Sequence, residues 1–191
     1  MATTTRILTA AAELFSGQAY AEVSVDRIAQ QAGITKMTLY QYFRSKDELA
    51  LECLRMRLKA REEKLDRFLA GLAPGADPLI AIFDWLQHWL DPTHFKGCSF
   101  VKAVNELSSA LPEVEKIAAE AKQKIRQRFT ALAHRSGRSH PRELGQELAL
   151  LFEGAQSLAL IEGSAHPALV ARRIARHLLV QGSTNGNGRD L

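Results

Sequence analysis

The sequence predicts an all-α protein, and three observations carry that prediction. Apolar residues recur at helical spacing along nearly the whole chain. No period-2 run of β-branched residues is long enough to argue for a strand. Gly, Pro and short polar clusters punctuate the chain at intervals suited to helices of ordinary length.

The first helix reads from Thr4 to Phe15, with Ile7, Leu8, Ala11, Leu14 and Phe15 on one stripe and Gly17 as its stop. A second follows the N-cap Ser24 and turns Val25, Ile28, Ala29 and Ala32 inward before Gly33. Thr35 caps a short third helix ending near Phe43, whose inward pair is Leu39 and Phe43. Ser45-Lys46-Asp47-Glu48 is a capping box in which the Ser45 hydroxyl accepts from the Glu48 amide and the Glu48 carboxylate reaches back to Ser45. The fourth helix it opens meets no breaker until Gly71. Further helices are expected at 77–90, 98–110, 112–135, 141–163 and 167–181, bounded by Asp91-Pro92, Gly97, Pro112, the 136–141 loop and His166-Pro167. Residues 182–191 are polar and Gly-rich and read as a disordered tail.

Composition narrows the function classes. The chain has 191 residues, 46% hydrophobic and 24% charged, with a net charge of +4, so it buries a core without crosslinks or metal. Cys53 and Cys98 form no disulfide framework or CxxC pair, which suits a reducing compartment. With no apolar run of membrane length and no leader-like start, the expected location is the cytoplasm, with no membrane partner. The six histidines lack HExxH spacing, and no metal site, cofactor or catalytic residue is expected. Cys98 near His94 is the one arrangement with nucleophile chemistry, and a small apolar packing role suits that cysteine better.

Residues 24–43 have the plan of a helix-turn-helix behind a supporting first helix. With Leu39 inward, Met37 and Gln41 project nearly opposite and Thr38 and Tyr40 to either side, while Lys36 stands at the exposed start. Lys36 and Gln41 offer hydrogen bonds to base edges, Met37 and Thr38 contacts to thymine methyls, and Tyr40 a bond to phosphate. Spacing alone leaves an ordinary helical hairpin with a polar outer face as an equal alternative.

Sequence detail separates the two. The runs Thr5–Phe15 and Ser24–Leu49, with ILxAAxxLF, VxxIAxxAGI, TLYxYF and SKxxL in order, resemble the DNA-binding domain of TetR-type transcriptional regulators over about a quarter of the chain. The resemblance implies that Lys36, Met37 and Thr38 face bases, that Tyr40, Tyr42 and Lys46 bind phosphate, and that a homodimer reads a near-palindromic operator in double-stranded DNA. The candidate DNA-contacting set is Ser24, Thr35, Lys36, Met37, Thr38, Tyr40, Gln41, Tyr42 and Lys46. Met37 stands where the family often has Gly, Ala or Pro, so the operator is specific to this chain.

On this reading residues 1–47 bind DNA and 48–181 form a helical ligand-binding and dimerisation domain. Five of the aromatic residues, both tryptophans included, fall within 83–100. The expected pocket for a small apolar or aromatic effector comprises Phe83, Trp85, Leu86, Trp89, Phe100, Val104, Asn105, Phe129, Phe152 and Gln156; a close-packed core is the alternative. Leu144, Leu148, Leu151, Ala155, Leu158, Ile174 and Leu178 exceed the apolar surface one side of a bundle needs, and are expected at the dimer interface. The function expected is a ligand-responsive repressor. The alternative is a helical protein-binding adaptor with a vestigial DNA-binding module.

Overall fold

The computed structural model describes residues 2–184, with the side chains of 181–184 left undescribed. Among these residues there are α-helices and no strand: α1 Thr3–Gly17, α2 Val25–Gln31, α3 Lys36–Tyr42, α4 Lys46–Ala70, α5 Pro78–Trp89, α6 Ser99–Leu107, α7 Glu113–Arg135, α8 Pro141–Glu162 and α9 His166–Thr184. The all-α expectation is borne out. A 3₁₀ turn at Tyr20–Glu22, which helical periodicity does not reveal, lies between α1 and α2. Of the tail expected at 182–191, residues 182–184 continue α9 and 185–191 lie outside the described residues.

The chain divides into two compact units. One comprises Met1–Glu62 with Cys98–Ala121, the other Glu63–Gly97 with Lys122–Leu191. In the first, Ile7, Leu14, Ile28, Leu39, Phe43, Leu49 and Cys53 close a core over which α1, α2 and α3 pack. A second cluster in the same unit joins Leu54 and Leu58 of α4 to Phe100 and Leu107 of α6 and Val114 and Ile117 of α7. The other unit packs α5 and α8 against α9 around Phe83, Leu86, Phe129, Leu148 and Phe152. There the Arg172 guanidinium meets the Asp84 carboxylate at 2.7 Å. Arg138 binds both Asp77, at 2.7 Å, and the Leu179 carbonyl, at 3.2 Å, tying the α7–α8 loop to one end of α5 and α9.

The caps form where the sequence places them. Ser24 Oγ accepts from Arg27 N at 3.2 Å, Thr35 Oγ1 from Thr38 N at 3.1 Å, and Ser45 Oγ from Glu48 N at 3.0 Å. The return bond of the last box differs: Glu48 Oε2 accepts from Arg44 N at 2.5 Å, one residue before Ser45. The end of α1 differs too. Gly17 belongs to the helix and has no left-handed conformation. Termination falls to Gln18, whose N–H closes on the Leu14 carbonyl at 3.0 Å before the chain extends.

Gly33 is where the turn between α2 and α3 is decided. Its φ is +65°, and the amides of Gly33 and Ile34 donate back to the Gln30 and Ala29 carbonyls, each at 3.0 Å. Arg6 of α1 reaches beneath it, donating to the Ala32 carbonyl at 2.6 Å and the Gly33 carbonyl at 3.2 Å. A Cβ at Gly33 would lie 2.9 Å from that guanidinium. Gly33→Ala therefore adds left-handed strain and displaces Arg6, and should cost about 1–2 kcal/mol. Thermal unfolding of the variant beside Arg6→Met checks this, and a Gly33→Ala melting temperature equal to that of the unaltered protein would contradict it.

Candidate nucleic-acid interface

The α3 face is built by burying one side of a two-turn helix. Leu39 is fully buried and Phe43 nearly so, which leaves the opposite side to solvent. Met37 is 75% exposed, and Tyr40 and Tyr42 are 45% and 46% exposed. Gln41, Lys36, Thr35 and Ser24 are exposed as well, and Thr38 is half-buried. A thioether left this open on a polar helix gains nothing from the protein's own packing. Thr38 Oγ1 lies 2.9 Å from Thr35 Oγ1, a contact that orients both hydroxyls at the N-terminus of α3.

The two lysines of the expected set are held differently. Lys36 Nζ pairs with Asp26 of α2 at 2.9 Å, an exposed ion pair that raises the lysine's pKa through the carboxylate. Such pairs are weak, so Lys36 exchanges Asp26 for another acceptor at little cost. Lys46 Nζ donates to the Tyr20 carbonyl at 2.7 Å and the Val23 carbonyl at 2.9 Å, and stands 4.0 Å from the Tyr20 ring centroid. Partial burial lowers its pKa, against the pull of Asp47. Two of its three N–H groups thus hold the turn before α2, leaving one for an outside acceptor. The Tyr20 hydroxyl donates to the Asp47 carboxylate, and burial together with that carboxylate raises the phenol's pKa.

Sequence reasoning missed the residues that brace this unit from α6. Lys102 Nζ donates to the carbonyls of Gln18 at 2.7 Å, Phe15 at 3.0 Å and Ser16 at 3.4 Å, so a cation closes the C-terminal end of α1. Glu106 Oε2 accepts from Tyr20 N at 2.8 Å. Arg57 of α4 donates to the Ala12 carbonyl at 2.5 Å, to Ser99 Oγ at 3.0 Å and to the Ser16 hydroxyl. These groups and Cys53, Leu54 and Phe15 line a cavity of about 40 Å³, enough for a water rather than an organic ligand. Burial pushes the Cys53 thiol up to about 12. Local spacing in the helix expected at 98–110 says nothing of a partner some 85 residues earlier.

The expected effector residues fall into both units. Phe83, Trp85, Leu86, Trp89, Phe129, Phe152 and Gln156 lie in the second unit, and Phe100, Val104 and Asn105 in the first. In the second unit the rings form a ladder: Trp89–Trp85 at 5.8 Å, Trp85–Phe152 at 6.5 Å, Phe152–Phe129 at 6.2 Å and Phe129–Phe83 at 5.6 Å. Trp89 opens it, 37% exposed, whereas the three phenylalanines are fully buried. Gln156, 3% exposed, donates to the Phe152 carbonyl at 3.4 Å and to Glu153, which also pairs with Lys122. In the first unit Phe100 is buried under Arg61, Val104 is half-buried and Asn105 is exposed.

Of the residues expected at a subunit contact, Leu144, Leu148 and Ala155 lie in their own unit's core. Leu151 and Leu178 pack partly against it, and Leu158 and Ile174 are exposed. The apolar side chains left open on α8 and α9 also include Leu150, Ile161, Leu169 and Val180, with Ile161 80% exposed. Among the described residues no helix is long and apolar enough to cross a membrane.

Comparisons with known proteins agree with this geometry. The family model described as bacterial regulatory proteins, tetR family, matches residues 7–53. The chain is 34% identical over 67 residues to the HTH-type transcriptional regulator HbdR of Aromatoleum sp. (strain CIB), covering 35% of this chain and 29% of that protein. It is 32% identical over 94 residues to the HTH-type transcriptional activator FasR of Mycolicibacterium smegmatis, covering 44% and 40%. These matches span less than half the length of either relative. Among solved structures, a putative TetR transcriptional regulator from Streptomyces avermitilis shares 27% identity over 96% of this chain and 99% of that one, with a TM-score of 0.75. A TetR-family regulator from Streptomyces coelicolor, 24% identical over 95% and 96%, shares the fold with a TM-score of 0.84.

If Lys102 closes α1 as described, Lys102→Met should destabilise the protein by about 1–2 kcal/mol and speed amide hydrogen exchange in the last turn of α1 and the 3₁₀ turn. Exchange unchanged there would show that solvent satisfies those carbonyls equally well.

Proposed function

We propose that this chain, whose residues 7–53 match the tetR family of bacterial regulatory proteins, regulates transcription by reading a specific operator with the exposed face of α3. The observation that carries this is a surface assembled at a cost: Met37, Tyr40, Gln41 and Tyr42 are left open on a two-turn helix whose buried side chains are Leu39 and, at its end, Phe43. In the major groove Gln41 and Thr38 supply hydrogen bonds to base edges and Met37 an apolar contact to a thymine methyl. Tyr40, Tyr42 and the free N–H of Lys46 take phosphates, Lys36 turns from Asp26 to a base edge, and Ser24 and Thr35 stand at the N-terminal ends of helices that face the backbone.

A homodimer through α8 and α9 accounts for the open apolar residues, because one copy cannot cover Leu158, Ile161, Leu169 and Ile174 by itself. Two reading heads related by a two-fold axis require an inverted repeat. We assign effector binding to the ring ladder and Gln156 in the second unit; Phe100, Val104 and Asn105 stay outside this assignment. The effector is a small apolar or aromatic molecule entering beside Trp85 and Trp89. Bound more tightly by the DNA-free state, it releases the operator and the protein acts as a repressor.

Thr38→Ala and Gln41→Ala should relax preference at particular base pairs by about 1–3 kcal/mol each. Tyr42→Phe and Lys46→Ala should instead weaken all sequences alike, the lysine also lowering the salt slope by about one. Equilibrium binding to specific and random duplexes distinguishes them. Equal losses on both duplexes for all four variants would overturn the assignment of the face. DNA binding absent even at low salt would favour a helical adaptor.

Titrating aromatic and aliphatic compounds should quench Trp85 and Trp89 emission, and operator DNA should weaken that binding by the factor with which the compound weakens DNA. Quenching that is unaffected by operator DNA would separate the ladder from regulation.

A further inference from the structure

We infer that the groove between α7 and the start of α8 is a binding site for a hydrophilic, anionic small molecule, one carrying carboxylate or phosphate oxygens. The inference concerns the second unit alone and does not depend on how DNA is read.

The charge pattern is the first argument. Between residues 121 and 142 the sequence has seven lysines and arginines and no aspartate or glutamate. Several of these cations have their own carboxylates: Lys122 pairs with Glu153, Arg128 with Asp66 and Arg138 with Asp77. Arg126 and Arg142 do not; among the described residues neither side chain makes an ion pair or hydrogen bond. Both line the same groove.

The shape is the second argument. The groove measures about 490 Å³ and is walled by Gln123, Arg126, Gln127, Thr130 and His134 of α7, facing Arg142 and Gln146 of α8. On α7 these positions fall three or four residues apart, hence on one face. Gly145 sets the depth. A Cβ there would come within 2.8 Å of the Thr130 amide nitrogen, so its absence lets the two backbones close at the floor while the long side chains on either side rise as walls. The carboxylates of this part of α8, Glu143 and Glu147, are not among the lining residues; Glu143 lies 3.9 Å from His140 instead.

The donor set is the third argument. The groove offers two guanidiniums, an imidazole and three carboxamides, and among the described residues none of these side chains is engaged elsewhere. A solvated surface normally alternates charge signs, whereas this concavity sets cations, amides and the Thr130 hydroxyl around an apolar floor at Ala131 and Pro141, with no carboxylate among its lining residues. Guanidiniums bind oxyanions through paired N–H groups, and amides supply both donors and acceptors for hydroxyls or further oxygens. An apolar effector would use none of these groups. The site therefore differs in chemistry from the aromatic ladder.

The test is isothermal titration of the full chain at low ionic strength with citrate and, separately, with inorganic pyrophosphate, which distinguish carboxylate from phosphate recognition. Saturable binding of either at one site per chain is expected, weakened about tenfold or more by Arg126→Gln with Arg142→Gln. Arg135→Gln, an exposed cation of the same run outside the groove, should leave it within about twofold. Circular dichroism confirms that the exposed substitutions leave the fold intact. No saturable binding of either anion would overturn the inference. So would an equal loss in Arg135→Gln, which would mean diffuse attraction. A change of oligomeric state caused by Arg126→Gln without any anion would assign the groove to contact with a second copy, and would overturn it as well.

Discussion

The reading surface depends on one constraint, the left-handed turn at Gly33 with the Arg6 guanidinium packed beneath it. A two-turn helix is not stable by itself in water. α3 keeps its place because Leu39 and Phe43 are buried, Thr35 caps its first turn, and the turn before it has a single geometry. Arg6 secures the last of these, satisfying the Ala32 and Gly33 carbonyls from a position on α1. The outward direction of Met37, Thr38 and Gln41 follows from that placement.

Helices α1, α2 and α3 share their compact unit with α6 and with parts of α4 and α7. α6, far away in sequence, shares their unit through Lys102 and Glu106, and α4 adds Arg57. All three direct charge at the backbone of α1 or the turn after it. Such bonds draw strength from partial burial, and their loss leaves carbonyls and an amide to be rehydrated. Lys46 acts in the same way from the start of α4, so cations from two helices hold the segment 15–23. Both α4 and α7 contribute residues to each unit.

Local chemistry was legible in the sequence. The helices, the caps at Ser24, Thr35 and Ser45, and the inward pair Leu39 and Phe43 all follow from periodicity and short-range hydrogen bonding. The outward face of α3 follows from the same geometry, since fixing one side of a helix fixes the other. The brace from Lys102 did not show, because a cation three carbonyls deep looks no different in sequence from a solvated one. Gly17 reads as the stop for α1, yet it stays helical and the chain turns extended only at Gln18. On α8 the sequence marked the apolar positions but not their division. Leu144, Leu148 and Ala155 turn into the core while Leu150 and Ile161 stay open, a choice made by where α9 and α7 pack. Phe100 and Val104 sit near Trp89 in sequence yet belong to the other unit, because the chain leaves one unit for the other at Gly97–Cys98.

The most direct test of the central claim is selection of bound duplexes from random DNA with the full chain at moderate salt. The account predicts enrichment of one inverted repeat whose half-sites lie about one helical turn apart, centre to centre, with the preference at individual half-site positions altered when Gln41 is replaced by alanine. Recovery of no common sequence, or of a sequence whose preferred bases are unchanged in Gln41→Ala and Thr38→Ala alike, would contradict it.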